Sequence, residues 1–259
     1  MRIVSLCPSL TELVFDLGRG QDLVGITKFC IHPAEEVARI EKVGGTKNPR
    51  VERIVELAPD IVLLNEEENR IEDAEALRAH AIRCHFSFPR TARETAGMVR
   101  SIGDAIEAKA EAERVATLIE TSARQVRETA ATREAVRYAY LIWRDPVIAA
   151  GADTFIADLL GLAGGVNVFD GRTGFADRYP TVGIDGLTDA NPDVVLLSTE
   201  PFPFREGHAD EISAATGIPR RRFRIVDGEL LSWHGSRTPR GISYAGSIMD
   251  EIRAELESS

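Results

Sequence analysis

One stretch of this chain occurs twice. RIVELAPDIVLLNEE, residues 53–67, aligns without gaps with GLTDANPDVVLLSTE, residues 186–200. In both copies a helix-forming segment stops before Pro-Asp, because proline disfavours the helical conformation in the residue before it. The four aliphatic residues that follow suit a strand covered on both faces, as in a parallel sheet. A weaker echo pairs VFDLG at 14–18 with ADLLG at 157–161, each with a glycine placed to close a helix in the left-handed conformation. A duplicated helix–strand unit predicts two related α/β halves.

The rest of the pattern agrees. Apolar runs at Arg2 to Leu6, Leu23 to Ile26, Ile61 to Leu64 and Cys84 to Phe88 alternate with helix-like segments. The alternation resumes with strands at Tyr138 to Trp143, Val194 to Ser198 and Phe223 to Val226, and helices at Thr154 to Leu162 and Ile242 to Leu256. Between the halves, Thr91 and Glu94 have capping-box spacing, and Gly103 is expected to divide the helical region that follows. From Glu107 to Thr132, Val115, Ile119, Ala123, Val126 and Ala130 form one stripe of a charged helix. At 1.5 Å per residue it runs roughly 35–40 Å, enough to brace two domains. A polar surface helix inside one domain is the other reading. The expected organisation is an α/β lobe over 1–106, a connecting backbone helix over 107–133 and an α/β lobe over 134–259.

With 259 residues the chain is at the size where one core gives way to two. Its net charge of -10 argues against a broad nucleic-acid or anionic-membrane surface, and Arg220-Arg221-Arg222 is too short to change that. No apolar stretch approaches the roughly 20 residues that span a bilayer, so no membrane insertion is expected. Three cysteines, Cys7, Cys30 and Cys84, fit reduced, partly buried thiols. Met1-Arg2 leads straight into Ile3-Val4 without the features of a secretory signal, so the chain as written is expected in the cytoplasm, or outside it if a leader has been removed.

Ligand contacts of parallel α/β sheets gather in loops beyond the carboxyl ends of the strands. That rule selects Pro8-Ser9, Lys28 to His32 with Phe29, Thr46-Lys47-Asn48, and Asn65 to Asn69 with Glu67 in the first half. In the second it selects Trp143-Arg144-Asp145, Phe175 to Tyr179 with Arg178, Glu200 to Phe204 with Phe202, and Ser232 to Arg237 with Trp233 and His234. Aromatic faces suit a large flat ligand with polar edges. Lys28, Lys47, Arg144, Arg178 and Arg237 can hold carboxylate, phosphate or amide groups, and a packed core with solvent-facing charges is the alternative. Ser9 and Glu12 read as a helix-start pair, with the amides there also able to face an anionic group.

No specific catalytic constellation emerges. Gly44-Gly45-Thr46-Lys47 lacks the order of a P-loop, and Ser232, His234 and Ser236 lack a glycine-flanked nucleophile. A thiolate–imidazole metal site can be drawn from Cys30 and His32 or from Cys84 and His85, against packed thiols and polar loop histidines. No resident metal is expected. His234 is the better candidate for an axial ligand to a bound chelate, with a loop hydrogen bond as the alternative. Glu66, Glu67 and Glu68 can bind a cation, act as an acid–base group or form a solvated loop.

RIVSLCPSLTELVFDLG, LVGITKFCIHP, VGGTKNPRVERIVELAPDIVLLNEEEN and NPDVVLLSTEP together resemble the helical-backbone class of substrate-binding proteins, the receptors for cobalamin, haem and iron–siderophores. The resemblance covers nearly the whole chain. It implies two parallel-sheet α/β lobes joined by one long backbone helix, a ligand cleft between them, and a monomer that is not an enzyme. It further implies a cobalamin-like metal chelate as ligand rather than catalytic cofactor, and delivery to an ABC permease docking at Glu52 and Asp185. A cytoplasmic metal- or corrinoid-dependent enzyme or ligand carrier of related fold is the competing expectation.

Overall fold

The computed structural model of the chain describes residues 1–171 and 177–258, and these divide into two compact units. The first comprises Met1–Pro89, Arg93–Glu120 and His234–Arg237, and the second Arg90–Ala92, Thr121–Trp233 and Thr238–Ser259. The four residues His234–Arg237, expected with the second half, therefore belong to the first unit.

The first unit contains β1 (Ile3–Ser5), α1 (Pro8–Asp16), β2 (Leu23–Ile26), α2 (Ala34–Val37), α3 (Val51–Glu56), β3 (Ile61–Asn65), α4 (Ile71–Ala79), β4 (Cys84–Ser87) and α5 (Ala92–Ala105). Its four strands are parallel in the order β2-β1-β3-β4. All five residues of β3 are buried, as expected of a central strand covered on both faces. Val4, Leu6, Val62 and Leu64 pack with Ile54, Ala74 and Leu77 of the covering helices.

The helical region divides at residues 106–108, not at Gly103. Glu107 takes a left-handed φ of 58°, and α6 then runs from Lys109 to Ala130. Gly103 serves another purpose: a Cβ there would lie 2.2 Å from the Cβ of Ala112, so its absence lets α5 and α6 touch. Arg100 clasps the same pair of helices through Glu113 and Glu120. The α6 stripe is buried at Val115 and Ile119 and half-buried at Ala123, Val126 and Ala130. The division between the units falls within this helix.

The second unit contains β5 (Val136–Trp143), β6 (Ile148–Ala149), α7 (Phe155–Leu162), β7 (Gly165–Asn167), α8 (Gly183–Ala190), β8 (Val194–Ser198), α9 (Glu206–Thr216), β9 (Phe223–Val226), α10 (Gly228–Ser232) and α11 (Thr238–Glu257). β8 lies between β5 and β9 and is again fully buried. The other edge of β5 carries β7 in parallel along its first residues and β6 antiparallel along its last.

The sequence repeat survives to individual hydrogen bonds. Ala58 and its counterpart Asn191 are both left-handed, at φ 45° and 40°. The backbone N–H of Arg2 donates to Asp60 Oδ2 at 2.6 Å, and that of Arg137 donates to Asp193 Oδ2 at 2.8 Å. Asp60 and Asp193 return a backbone bond of 2.8 Å to the same two arginines. The guanidinium of Arg2 caps the carbonyl of Leu57 and that of Arg137 the carbonyl of Ala190, which are otherwise open acceptors at helix ends. In each unit, then, one arginine ties the start of a neighbouring strand, β1 or β5, to the helix that feeds β3 or β8.

Candidate functional site

In open α/β sheets, ligands settle beyond the carboxyl ends of the strands where the strand order reverses. Here that point lies between β1 and β3 in one unit and between β5 and β8 in the other. The central strand ends in a buried polar residue in each case, Asn65 and Ser198.

Asn65 organises the first unit's loops. Its Oδ1 accepts the backbone N–H of Glu67 at 2.9 Å and of Glu68 at 3.2 Å. Its backbone N–H donates to Asn69 Oδ1 at 2.8 Å, while Asn69 Nδ2 donates to the carbonyls of Leu6 and Thr46, 3.0 Å each. The turn carrying Glu67 is thereby fixed to the ends of β1 and β3. Lys47 Nζ donates to the Glu67 carbonyl. Gly45 has no room for a Cβ, which would lie 2.4 Å from Asn48 Oδ1 and 3.4 Å from the Phe29 ring. Lys28 Nζ stands 4.9 Å from that ring's centroid, a cation–π contact, and Phe29 is 50% exposed. The structure so brings Lys28, Phe29, Lys47, Asn48 and Glu67 into one neighbourhood.

His234 and Arg237 reach the same unit from far along the chain. Because Asn65 Oδ1 accepts two backbone N–H groups, its Nδ2 is the donor, to Ser87 O at 3.1 Å and to His234 Nε2 at 3.2 Å. His234 Nε2 is therefore an unprotonated acceptor. Burial agrees, pushing the imidazole down to about 4. The loop hydrogen bond, rather than an open axial ligand, is what the geometry supplies. Arg237 is buried and forms a two-point fork to Glu12, Nε–Oε2 2.8 Å and Nη2–Oε1 2.7 Å. Glu12 does not close a capping box with Ser9. Cys7 is the N-cap of α1, Pro8 opens the helix, and Ser9 Oγ lies 3.3 Å from Cys7 Sγ.

Aromatic rings dominate the second unit's strand ends. Trp143, at the end of β5, is 40% exposed and meets Phe202 edge-on with centroids 5.7 Å apart. Phe202 packs on Phe204 at 4.8 Å and on His208 at 5.2 Å. Phe204 is buried, so it supports the platform. Arg144 pairs with Glu211. Arg178 Nε donates to the Asp153 carbonyl at 2.6 Å, and its guanidinium lies 5.6 Å from the ring of Tyr179, which is 39% exposed. Phe175 lies outside the described residues. Ser198 Oγ accepts the Glu200 N–H at 3.3 Å, repeating what Asn65 does for Glu67. Tyr140 donates to the same Oγ at 2.9 Å, and Ser232 donates to Glu200 Oε1 at 2.6 Å. Gly228 leaves space for this, since a Cβ there would lie 2.5 Å from both Glu200 Cγ and Ser198 Oγ. Trp233 is half-buried just after α10.

The strand-end rule takes in Asn65 only as the first residue of its loop, and Ser198 and His208 fall outside the loops it selects. The signal for the first two was present, since each is the polar residue that ends a repeated aliphatic strand.

The thiols do not resemble metal ligands. Burial pushes Cys7 up to about 12 and raises Cys30 and Cys84. Cys30 Sγ is held by Thr11 at 3.1 Å and Thr27 at 3.2 Å. Among the described residues no group of three or more His, Cys, Asp or Glu side chains is arranged to hold a metal ion. Glu52 and Asp185 occupy the same place in the repeat, exposed in the first turns of α3 and α8.

Paired α/β units with aromatic and polar loops gathered at the sheet switch points define a ligand-binding protein of the helical-backbone class. The chain belongs to the periplasmic binding protein family, whose model matches residues 3–216. A vitamin B12-binding protein of Vibrio parahaemolyticus is 25% identical over 256 residues, covering 98% of this chain and 90% of the relative. Among solved structures, the periplasmic vitamin B12 binding protein BtuF of Vibrio cholerae shares the fold with a TM-score of 0.81 at 21% identity, covering 97% of each chain. The periplasmic heme-binding protein RhuT from Roseiflexus sp. RS-1 gives 0.82 at 22% identity, covering 98% of each.

Proposed function

We propose that this protein reversibly binds a metal chelate of tetrapyrrole-like shape, a corrinoid first among them, and delivers it to an ABC-type importer. The carrying observation is the exposed Trp143 braced edge-on by Phe202 at the second unit's switch point. A rigid, half-exposed indole offers apolar area to a flat ring at little entropic cost. Phe29 and Tyr179 add exposed aromatic area, and Lys28, Lys47, Asn48, Glu67, Arg144, Arg178, Glu200 and Trp233 supply the remaining surroundings. His234 and Arg237 act from beneath, holding the first unit's loop rather than the ligand. The B12-binding relative and the heme-binding structural neighbour support a ligand of this class.

In this reading the metal arrives with the ligand, the protein performs no catalysis and acts as a monomer, and Glu52 and Asp185 are the permease contacts. Matched positions in the repeat support the pairing of the two acids. The reading places the protein outside the cytoplasmic membrane. The cytoplasmic expectation drawn from the start of the chain finds no support in a family of periplasmic proteins.

Tryptophan-fluorescence titration with cobalamin, cobinamide, haem and ferric siderophores, checked by calorimetry, tests it. One-to-one saturation by a corrinoid, weakened about tenfold or more by Trp143→Ala, is the expected result. Failure of the whole panel to bind removes the ligand assignment.

A further inference from the structure

Several hydrogen-bond donors at the second unit's strand ends are spent within the fold. The indole N–H of Trp143 donates to the Asp145 carbonyl at 3.0 Å, so the exposed part of this side chain offers only its apolar ring. Arg144 pairs with Glu211, Arg178 Nε donates to the Asp153 carbonyl, and the hydroxyls of Tyr140 and Ser232 donate to Ser198 and Glu200. His208 differs. It lies in the first turn of α9, the helix that follows β8, and its ring packs at 5.2 Å on Phe202, which also braces Trp143. Its Nδ1 accepts the backbone N–H of Arg205 at 3.1 Å and so caps the helix. A nitrogen that accepts an amide N–H carries no proton, so the ring's proton sits on Nε2, at the outer end of the imidazole. Among the described residues no group hydrogen-bonds to Nε2, and the side chain is half-buried.

Resting on the metal-chelate reading, we infer that His208 is a specificity-determining residue that donates its Nε2–H to an oxygen on the ligand's rim. In a corrinoid that oxygen is the carbonyl of a carboxamide arm. The same geometry keeps His208 off the metal. Coordination needs a lone pair on Nε2, which means moving the proton to Nδ1 and setting N–H against N–H at the start of α9. The helix cap therefore holds the imidazole as a donor before any ligand arrives. Within this unit the labour divides, with Trp143 giving apolar area to the ring's face and His208 a directed bond to its rim. A site that donates to a rim oxygen discriminates against a ring that has none there.

The experiment titrates cobinamide calorimetrically into the full chain in two forms, one with exchangeable water on the cobalt and one with both axial positions filled by cyanide. His208→Asn keeps an acceptor at the place of Nδ1 but stops short of Nε2, whereas His208→Gln extends an amide N–H to the place of Nε2. Asparagine should weaken both forms by about fivefold, the loss of one hydrogen bond, and glutamine should return affinity to within about twofold of the unaltered protein. The imidazole nitrogen NMR spectrum of the ligand-free protein should show Nδ1 bare and Nε2 protonated. A proton on Nδ1 overturns the inference. Weakening of the water form alone also overturns it, because the cyanide form leaves no place for a coordinating nitrogen. Equal losses in the two variants, or no loss in either, overturn it too, by reducing His208 to a packing or capping residue. The metal-chelate reading survives each of these results. Binding of neither form overturns the corrinoid assignment, and this inference with it.

Discussion

The two copies of the repeat invite an exchange. Ala58 and Asn191 share a left-handed backbone, φ 45° and 40°, but only asparagine adopts it readily, because a short polar side chain can compensate locally. Ala58 is exposed, so its replacement sacrifices no packing. Ala58→Asn should therefore stabilise the protein by about 0.5–1 kcal/mol, part of the roughly 1–2 kcal/mol that an ordinary residue loses in this conformation. The reverse change costs more. Asn191→Ala forfeits the same preference and also the Oδ1 bond that accepts from Arg222 Nη1 at 2.9 Å, for a total of about 1–2 kcal/mol. The Arg137 bond to the Asn191 backbone carbonyl is untouched by either change. Urea denaturation of both variants measures the shifts at constant m-value, and melting temperatures should move in opposite directions by about 2–4 °C per kcal/mol. Loss of stability in Ala58→Asn, or shifts of the same sign in the two variants, would refute the claim that the copies share one backbone state.

Other consequences are as direct. His234 is neutral in the fold with its imidazole lowered from 6.5 to about 4, so between those values the unfolded chain takes up a proton that the folded one refuses. Stability should fall by up to about 3 kcal/mol as pH drops through that window, and His234→Gln should flatten this part of a denaturation-versus-pH profile. Gly103→Ala should destabilise by about 1–3 kcal/mol in chemical denaturation, because the new Cβ would meet Ala112 at 2.2 Å; a gain from improved helix propensity would contradict the close crossing of α5 and α6. Phe204→Ala should lower stability by about 3–5 kcal/mol, whereas Trp143→Ala should alter it by under about 1 kcal/mol while weakening ligand; comparable losses of stability would disprove the division between platform and support.

The strands were legible because each is a short aliphatic or aromatic run bounded by turn residues, and Leu23–Ile26, Val194–Ser198 and Phe223–Val226 coincide with their expected limits. β6 and β7, two and three residues long, carry too little periodicity to be noticed. Thr91 does precede a helix, but Ser9 misleads, since Pro8 takes the first helical position and moves the cap two residues earlier, to Cys7. Gly103 suggests a break in the helical region, but its small size at the contact with Ala112 is what matters. The polar architecture beneath the loops was hidden for a different reason. Asn65–His234 and Glu12–Arg237 join residues far apart in the chain, and nothing local in either segment announces the partner.

That last feature bears on how such a protein can be divided. A duplicated half suggests two interchangeable modules that could be cut apart, shuffled or expressed singly. Here the polypeptide returns late to lend four residues to the half it left long before. A fragment ending after α6 would keep Glu12 and Asn65 but lose Arg237 and His234, leaving a carboxylate and an amide donor without their counterparts. The duplication is written in the sequence, yet the finished molecule is stitched, and separating its halves would require carrying the stitch along.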